Sequence, residues 1–386
     1  MRRFFLAALL PAALGACSGS GGVVDPPDPV PGGPLSLAGV SAGDEHTCGV
    51  APGGAAFCWG NSDHGELGNG REVSLALPAA VTGGIVFESV QAGDDHTCGR
   101  ALTGVIFCWG GNSDAQLGDG TTAQRSSPAP LEGSPAFAAY SVGRHHACAL
   151  AADGTAFCWG RNDDGQVGDG TIEDRRRPTA VAGGMAFTAI DAGEAHTCAL
   201  DAAGAAWCWG DNDDGELGDG TLVDRLAPTP VGGGLEFATI RAGWGHTCGL
   251  AADGSARCWG INTRGQLGDG TQVGRPLPAV AAAGQVFADL DAGRSHTCAI
   301  TAAGAAFCWG SGGDGELGNG ATADHTLPVA VAGGHAFTTI STGDDHSCGV
   351  TAENEAFCWG QNDEGQLGDG TTTPRTTPVV VLEDVA

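Results

Sequence analysis

There is no lysine anywhere in this 386-residue chain; its 17 basic residues are all arginine, set against 45 acids. That absence removes Schiff-base chemistry. The formal net charge of −28 repels phosphate backbones and argues against nucleic acid as a partner. Tyrosine occurs once and methionine twice. Helical periodicity is missing too: no stretch sustains an apolar repeat of 3.6 residues, and glycine punctuates the chain throughout. After residue 16 no apolar run approaches the length that crosses a bilayer. The chain carries no GxSxG elbow, HExxH pair, P-loop or dinucleotide fingerprint. It therefore reads as a non-enzyme that calls for no cofactor and no metal.

What is present begins with MRRFFLAALLPAALGACSGSGG. Arg2 and Arg3 precede the apolar stretch Phe4–Leu14, and Gly15 and Ala16 lead into Cys17, the layout of an export leader. The Leu-Gly-Ala-Cys run resembles a bacterial lipobox. Residues 1–16 are expected to be a lipoprotein signal peptide and Cys17 the lipid-bearing first residue; the alternative is an ordinary secretory signal cut near the same place. Cys17 is the odd one of 15 cysteines, and acylation would remove an otherwise unpaired exported thiol. Residues 17–36 are a Gly-, Pro- and Ser-rich tether, and 37–386 form the folded body. The expectation is an exported monomer touching the membrane only through its lipid. Ser18, in place of an Asp that retains some lipoproteins at the inner membrane, points to the outer membrane or cell surface, with periplasmic or secreted placement as alternatives.

From Leu37 the chain repeats every 50 residues without slippage, marked by Trp59, Trp109, Trp159, Trp209, Trp259, Trp309 and Trp359 and by Pro78 through Pro378 at the same interval. The unit reads PxxVxGGxxFxxIxAGxxHTCxLxxxGxxxCWGxNxxGQLGDGT. In the fourth copy it yields short strands around Val181, at Phe187–Ala192, at His196–Leu200 and at Ala205–Trp209. Four short strands in such a unit predict one blade of an all-β propeller, seven in all, with an open solenoid as the alternative. The chain enters midway through a unit, because Leu37 and Val40 stand where Phe87 and Val90 do. The missing strand recurs at the far end as Pro378-Val-Val-Val-Leu, so the C-terminal strand is expected to join the first blade and close the ring.

The AGxxHTCxL, CWG and NxxGQLGDG elements resemble the repeat of the regulator of chromosome condensation family over about 350 residues. That resemblance implies a seven-bladed β-propeller. Kelch propellers share the paired glycines but not this chain's aromatic spacing. The family name also suggests guanine-nucleotide exchange on a small GTPase with chromatin docking, which export and an acidic surface disfavour.

The cysteines come in pairs ten apart, as in HTCALDAAGAAWCWG at 196–210. Between the two strands lies a three-residue loop whose last place is Gly in six units and Asn354 in the seventh, the signature of a left-handed residue. Such a loop sets Cys148 opposite Cys158 at a non-hydrogen-bonded position within disulfide reach. The same register predicts the bridges Cys48–Cys58, Cys98–Cys108, Cys198–Cys208, Cys248–Cys258, Cys298–Cys308 and Cys348–Cys358. The rival is a metal site: His196 and Cys198 share a strand face with Cys208 opposite, but no fourth ligand recurs. The recurring histidines, His46 through His346, are expected to bond nearby backbone rather than act as acid–base groups. The loop DNDDGELGDG (211–220) tempts a calcium reading, yet Gly215 falls one place early for an EF-hand and the closing Glu is missing; tight-turn Asx bonding is the plainer account.

Function then rests on positions that differ between units. Between AG and His these are Asp44-Glu45, Asp94-Asp95, Arg144-His145, Glu194-Ala195, Trp244-Gly245, Arg294-Ser295 and Asp344-Asp345. Trp244, Arg144, His145 and Arg294, with the basic run Arg175-Arg176-Arg177, are the candidate binding residues, and an ordinary solvated loop is the plain alternative. The favoured reading is a lipid-anchored envelope scaffold that grips a protein or a cell-envelope glycan. The alternative is a secreted enzyme inhibitor like the β-lactamase-inhibitor protein built on a similar propeller, whose contact residues have no visible match here.

Overall fold

The computed structural model describes residues 31–133 and 136–385; the leader, Cys17 and the first part of the tether lie outside the described residues. Seven four-stranded antiparallel sheets follow one another along the chain. The first blade consists of Gly39–Ala42, His46–Val50, Ala56–Gly60 and Leu75–Ala80, and the seventh of Phe337–Thr342, His346–Thr351, Ala356–Gly360 and Arg375–Val380. The first strands of successive blades pack on one another around a central channel, and those of the first blade pack on the seventh. The architecture is a closed, seven-bladed, all-β propeller.

The sequence explains the strands. The second strand of each blade, such as His196–Asp201, is buried on both faces, and it reads as a run of small and apolar residues rather than an alternation. The outermost strand, such as Arg175–Ala180, is half exposed and carries charge. Each hairpin turns on the left-handed residue expected of it: φ is +84° at Gly154, +81° at Gly204 and +63° at Asn354. The resulting register places Cys148 opposite Cys158 and Cys198 opposite Cys208. In all seven hairpins the paired Cα atoms stand 4.1 Å apart with the sulfurs at bonding distance.

Two expectations about strand assignment are corrected. The strand around Val181 does not open its own blade. Arg175–Ala180 pairs with Ala156–Gly160 and is the outermost strand of the preceding blade, because the NxxGQLGDGT loop folds back and returns the chain to the sheet it has just left. By the same rule Pro378–Val380 belongs to the last blade, and the first blade is complete without it. The ring closes one step later: Leu382–Asp384 pairs with Pro31–Pro34, within the stretch that composition reads as tether. Val381 enters one core with Leu35, Leu37 and Trp59.

The core lies between blades. Cys198, Leu200, Cys208 and Leu217 of the fourth blade meet Phe237, Ile240 and Trp259 of the fifth, and equivalent clusters fill the other seams, including Cys348 and Cys358 against Trp59 across the closure. Each sulfur bridge is therefore part of the floor on which the next blade's tryptophan lies.

Hydrogen bonds stitch the same seams. The Gln166 carbonyl accepts both the Trp209 indole (2.9 Å) and the Thr197 hydroxyl (2.9 Å) of the next blade. With its proton given to that carbonyl, Thr197 accepts from His146 Nε2 at 2.8 Å, which fixes the Nε2–H tautomer. The recurring histidines thus bond a hydroxyl of the next blade; a threonine or serine supplies it for six of the seven. Burial pushes the His146 pKa down to about 3, so the ring is neutral. The exception is His96, which faces Ala147 and leaves both ring nitrogens without a partner. Replacing Thr247 with Val strands His196 and should cost about 1–3 kcal/mol of stability, whereas Ala147→Thr should add about 0.5–1.5 kcal/mol by supplying the missing hydroxyl. Urea denaturation checks both; equal midpoints in the three proteins would remove this seam bond from the account.

Candidate recognition face

Each inner strand ends in Ala-Gly or a close variant beside the central axis. A Cβ on Gly43 would collide with the carbonyl oxygen of Gly93, and so on round to Gly343 against Gly43, so the blades approach here as closely as backbone allows. The next residue's amide donates to the neighbouring glycine carbonyl, as in Asp44 to Gly93 (3.1 Å), Trp244 to Gly293 (3.3 Å) and Asp344 to Gly43 (3.2 Å). The first member of every variable pair thereby stands on the channel rim, in the order Asp44, Asp94, Arg144, Glu194, Trp244, Arg294, Asp344. All of them but Glu194 line a small cavity of about 90 Å³.

Three residues nominated from sequence come together on this rim. The half-buried Trp244 ring is sandwiched between two guanidinium groups, Arg144 at 4.1 Å and Arg294 at 4.3 Å from its centroid, a double cation–π contact. Carboxylates hold both arginines in place. Arg144 meets Asp94 at 2.8 Å and Glu194 at 2.5 Å, and Arg294 meets Asp344 at 3.5 Å and Asp345 at 3.8 Å. His145 lies behind them, its Nε2 3.3 Å from Asp94. The aromatic plate is thus pre-ordered.

The basic run does not join this cluster. Arg175 bonds Asp169 at 2.5 Å, and the pairs Arg125–Asp119, Arg225–Asp219, Arg275–Asp269 and Arg375–Asp369 repeat that bridge in four other blades. Arg177 faces Glu132 at 2.9 Å, while Arg176 is exposed. In the loop 211–220 Asn212 Oδ1 accepts from Leu217 N (3.0 Å), and Asp219 Oδ1 accepts from Thr221 N (2.8 Å) and Oγ1 (2.6 Å), the tight-turn bonding expected of it.

The opposite part of the rim is acidic. Burial and a hydrogen bond to Asp94 push the Asp44 pKa up to about 7. Burial and the bond to Asp44 raise Asp344 well above the carboxylate range. Burial also works against ionised Asp94, but the Asp44 and Arg144 bonds outweigh it and hold its pKa low. Protonated Asp344 and Asp44 thus lead to the Asp94 carboxylate and, through it, to Arg144 and the Trp244 stack.

Sequence reasoning missed a second polar ring, below the rim. A cavity of about 490 Å³ in the channel is lined by Ser41, Gln91, Ser141, Asp191, Arg241, Asp291 and Ser341, one from each inner strand. Most of these side chains accept the amide of the next blade's strand end: Ser41 from Ala92 (3.0 Å), Asp191 from Ala242 (2.7 Å), Asp291 from Thr342 (2.8 Å). Arg241 cannot accept; it sits among Asp289 (3.3 Å) and Asp291 (3.6 Å). The signal was a polar column midway along otherwise small and apolar strands.

The loops after each third strand open on the same face as Trp244. Those of three consecutive blades expose apolar side chains there: Ile172 (59% exposed), Leu222 (58%), Val223 (57%) and Val273 (59%). The Asp44 carboxyl gives a pH test. A carboxyl whose folded pKa is raised contributes stability that is complete below its unfolded value, about 3.9, and is lost as pH rises toward 7. Asp44→Asn should shrink the loss of stability between about pH 4 and 7, measured as the wild-type-minus-variant difference in urea midpoints; a difference that does not change with pH would rule out the shared protons.

Models of the "Regulator of chromosome condensation (RCC1) repeat" match residues 53–99, 103–150, 153–200, 203–250, 253–300, 303–350 and 353–385, and a second model of that repeat matches seven segments from 38–66 to 337–366. No curated protein matches the chain. Among solved structures, human WBSCR16 superposes with a TM-score of 0.76 at 23% identity, covering 85% of this chain and 93% of that one. Prp20p of Saccharomyces cerevisiae, described with its binding to Gsp1p and histones, gives 0.75 at 21% over 90% and 87%. The ectodomain of the Physcomitrella patens receptor kinase CR4 gives 0.57 at 22% over 84% and 74%. At these identities the likeness shows the shared propeller fold.

Proposed function

The chain belongs to the family built from regulator of chromosome condensation repeats, and on that premise we propose that it is a non-enzymatic binding platform of the cell envelope, anchored by lipid at Cys17 and recognising a protein through the Trp244 face. One observation carries the reading: a Trp ring held between two arginines at the channel mouth. Large pre-ordered aromatic and arginine side chains are the groups that dominate protein–protein affinity. The exposed Ile172, Leu222, Val223 and Val273 on the same face favour a protein partner over a glycan, since they offer nothing to a hydroxyl-rich ligand.

The solved relatives fit a role in recognition. Prp20p is described by what it binds, and the CR4 propeller is part of a receptor's ectodomain. The variable pairs on this chain's rim occupy a surface that the fold itself leaves free to change. The export part of this reading is supported by the seven cysteine pairs at bonding distance, which suit an oxidising compartment.

Two experiments separate the parts of this reading. Cys17→Ser should abolish palmitate labelling and move the chain from the membrane to the soluble fraction; a labelled or membrane-bound variant would defeat the anchor. The soluble Cys17→Ser chain then serves as bait in envelope extract. Adding Trp244→Ala should weaken a captured protein by more than about 1 kcal/mol, read by titration with the purified partner. Unchanged affinity would move recognition to another face.

A further inference from the structure

The loop after each third strand places one side chain beneath the rim, fully or nearly buried: Glu66, Gln116, Gln166, Glu216, Gln266, Glu316 and Gln366 in chain order. The position has a single structural task. One side-chain oxygen accepts the amide two residues earlier, as Gln116 Oε1 does from Asp114 N (3.0 Å), Gln266 Oε1 from Arg264 N (3.0 Å) and Glu316 Oε2 from Asp314 N (2.8 Å). A neutral glutamine performs that task in four blades. A buried glutamate performs it no better and carries a charge that is costly to desolvate.

Glu316 shows what the charge leaves over. The residue is 0% exposed, and its second oxygen, Oε1, makes no hydrogen bond of ordinary geometry; the Ser311 hydroxyl is close enough only to favour the ionised form. A donor atom of Glu316, one of Asp314 on the same loop and one of Asp345 on the next blade's rim lie within 4.8 Å of one another. The cations nearby are engaged elsewhere as well. Arg294 divides itself between Asp344 (3.5 Å), Asp345 (3.8 Å) and the Trp244 ring, and Arg264 bonds Asp324 at 3.2 Å. Burial and the neighbouring carboxylates hold the pKa values of Glu316 and Asp345 above the ordinary range.

We propose that Asp314, Glu316 and Asp345 form a calcium site at the seam between the sixth and seventh blades. All three donors are carboxylate oxygens, which suits a hard cation and excludes the nitrogen and sulfur preference of zinc. Two come from one irregular loop and the third from another blade. Calcium tolerates such a flexible arrangement, while magnesium demands near-ideal octahedral geometry. Asp314 is exposed, so water completes the shell from that side. The unpartnered Glu316 oxygen then gains a ligand, and the ion ties two blades together. Glu216 is the built-in contrast: it has the same burial and the same loop, but Gly245 stands where Asp345 does.

The test uses the whole chain. Calcium is titrated by calorimetry, and terbium by emission sensitised through Trp359, whose indole donates to the Glu316 carbonyl at 2.8 Å. Calcium should bind with a Kd of about 10⁻⁴ to 10⁻³ M, the range of extracellular modules. Glu316→Gln keeps the loop bond that four blades make with glutamine, so it should fold normally and weaken binding at least about tenfold, as should Asp345→Asn. Glu216→Gln should leave the titration unchanged. No binding up to about 10 mM calcium, binding that survives Glu316→Gln, or an equal loss in Glu216→Gln would each overturn the site.

Discussion

One backbone carbonyl in each blade carries the ring. It lies in the loop after the third strand and accepts twice from the next blade, once from an indole and, in six of the seven seams, once from a hydroxyl. The hydroxyl in turn fixes a histidine tautomer. None of these groups meets solvent, so each bond replaces water that cannot return, and a missing partner is costly. The apolar side of the same seam is a sulfur bridge lying against a tryptophan. A single sheet of this sequence has nothing to cover either face; only the neighbour supplies it. Closure is therefore a condition of stability for every blade, including the first, where Trp59 reaches the Gln366 carbonyl across the join.

Features governed by the local backbone were legible in the sequence. A left-handed residue leaves only Gly or Asn as candidates, so the turns at Gly204 and Asn354 disclosed the hairpin register, and the register disclosed the cysteine partners. Bonds spanning 51 residues were not legible. Nothing about His146 names Thr197 as its partner, because the contact exists only once two blades are placed side by side. The outermost strand was misassigned for a related reason. Its residues carry the same β signal whichever sheet they join, and the choice is made by the fold-back of the preceding loop. The rim was found because its residues differ between units. The polar ring in the channel was passed over because its side chains look like ordinary interruptions of a buried strand.

The scaffold is nearly seven-fold, but its rim is not. Arg144, Trp244 and Arg294 make one side an aromatic plate between positive charges, whereas Asp344, Asp44 and Asp94 make the other a chain of acids sharing protons. The two halves touch at the Arg144–Asp94 and Arg294–Asp344 pairs. The fold needs only a glycine and a backbone amide at each of these places, which leaves the side chains free to be chosen for what approaches the face. Arg175 and Arg177 illustrate the reverse case: as a run of letters they look like a basic patch, yet both are matched with carboxylates.

The hairpin cysteines have a bearing on how such a chain is made. Fourteen thiols in near-identical surroundings admit a vast number of wrong partners, and a protein whose oxidation waited for its final shape would have to search among them. Here each thiol meets its mate across a three-residue bend, so pairing requires no other part of the molecule. In an oxidising medium the chain can close one ribbon at a time, in the order of its appearance, and deliver finished segments to an assembly step that only has to stack them.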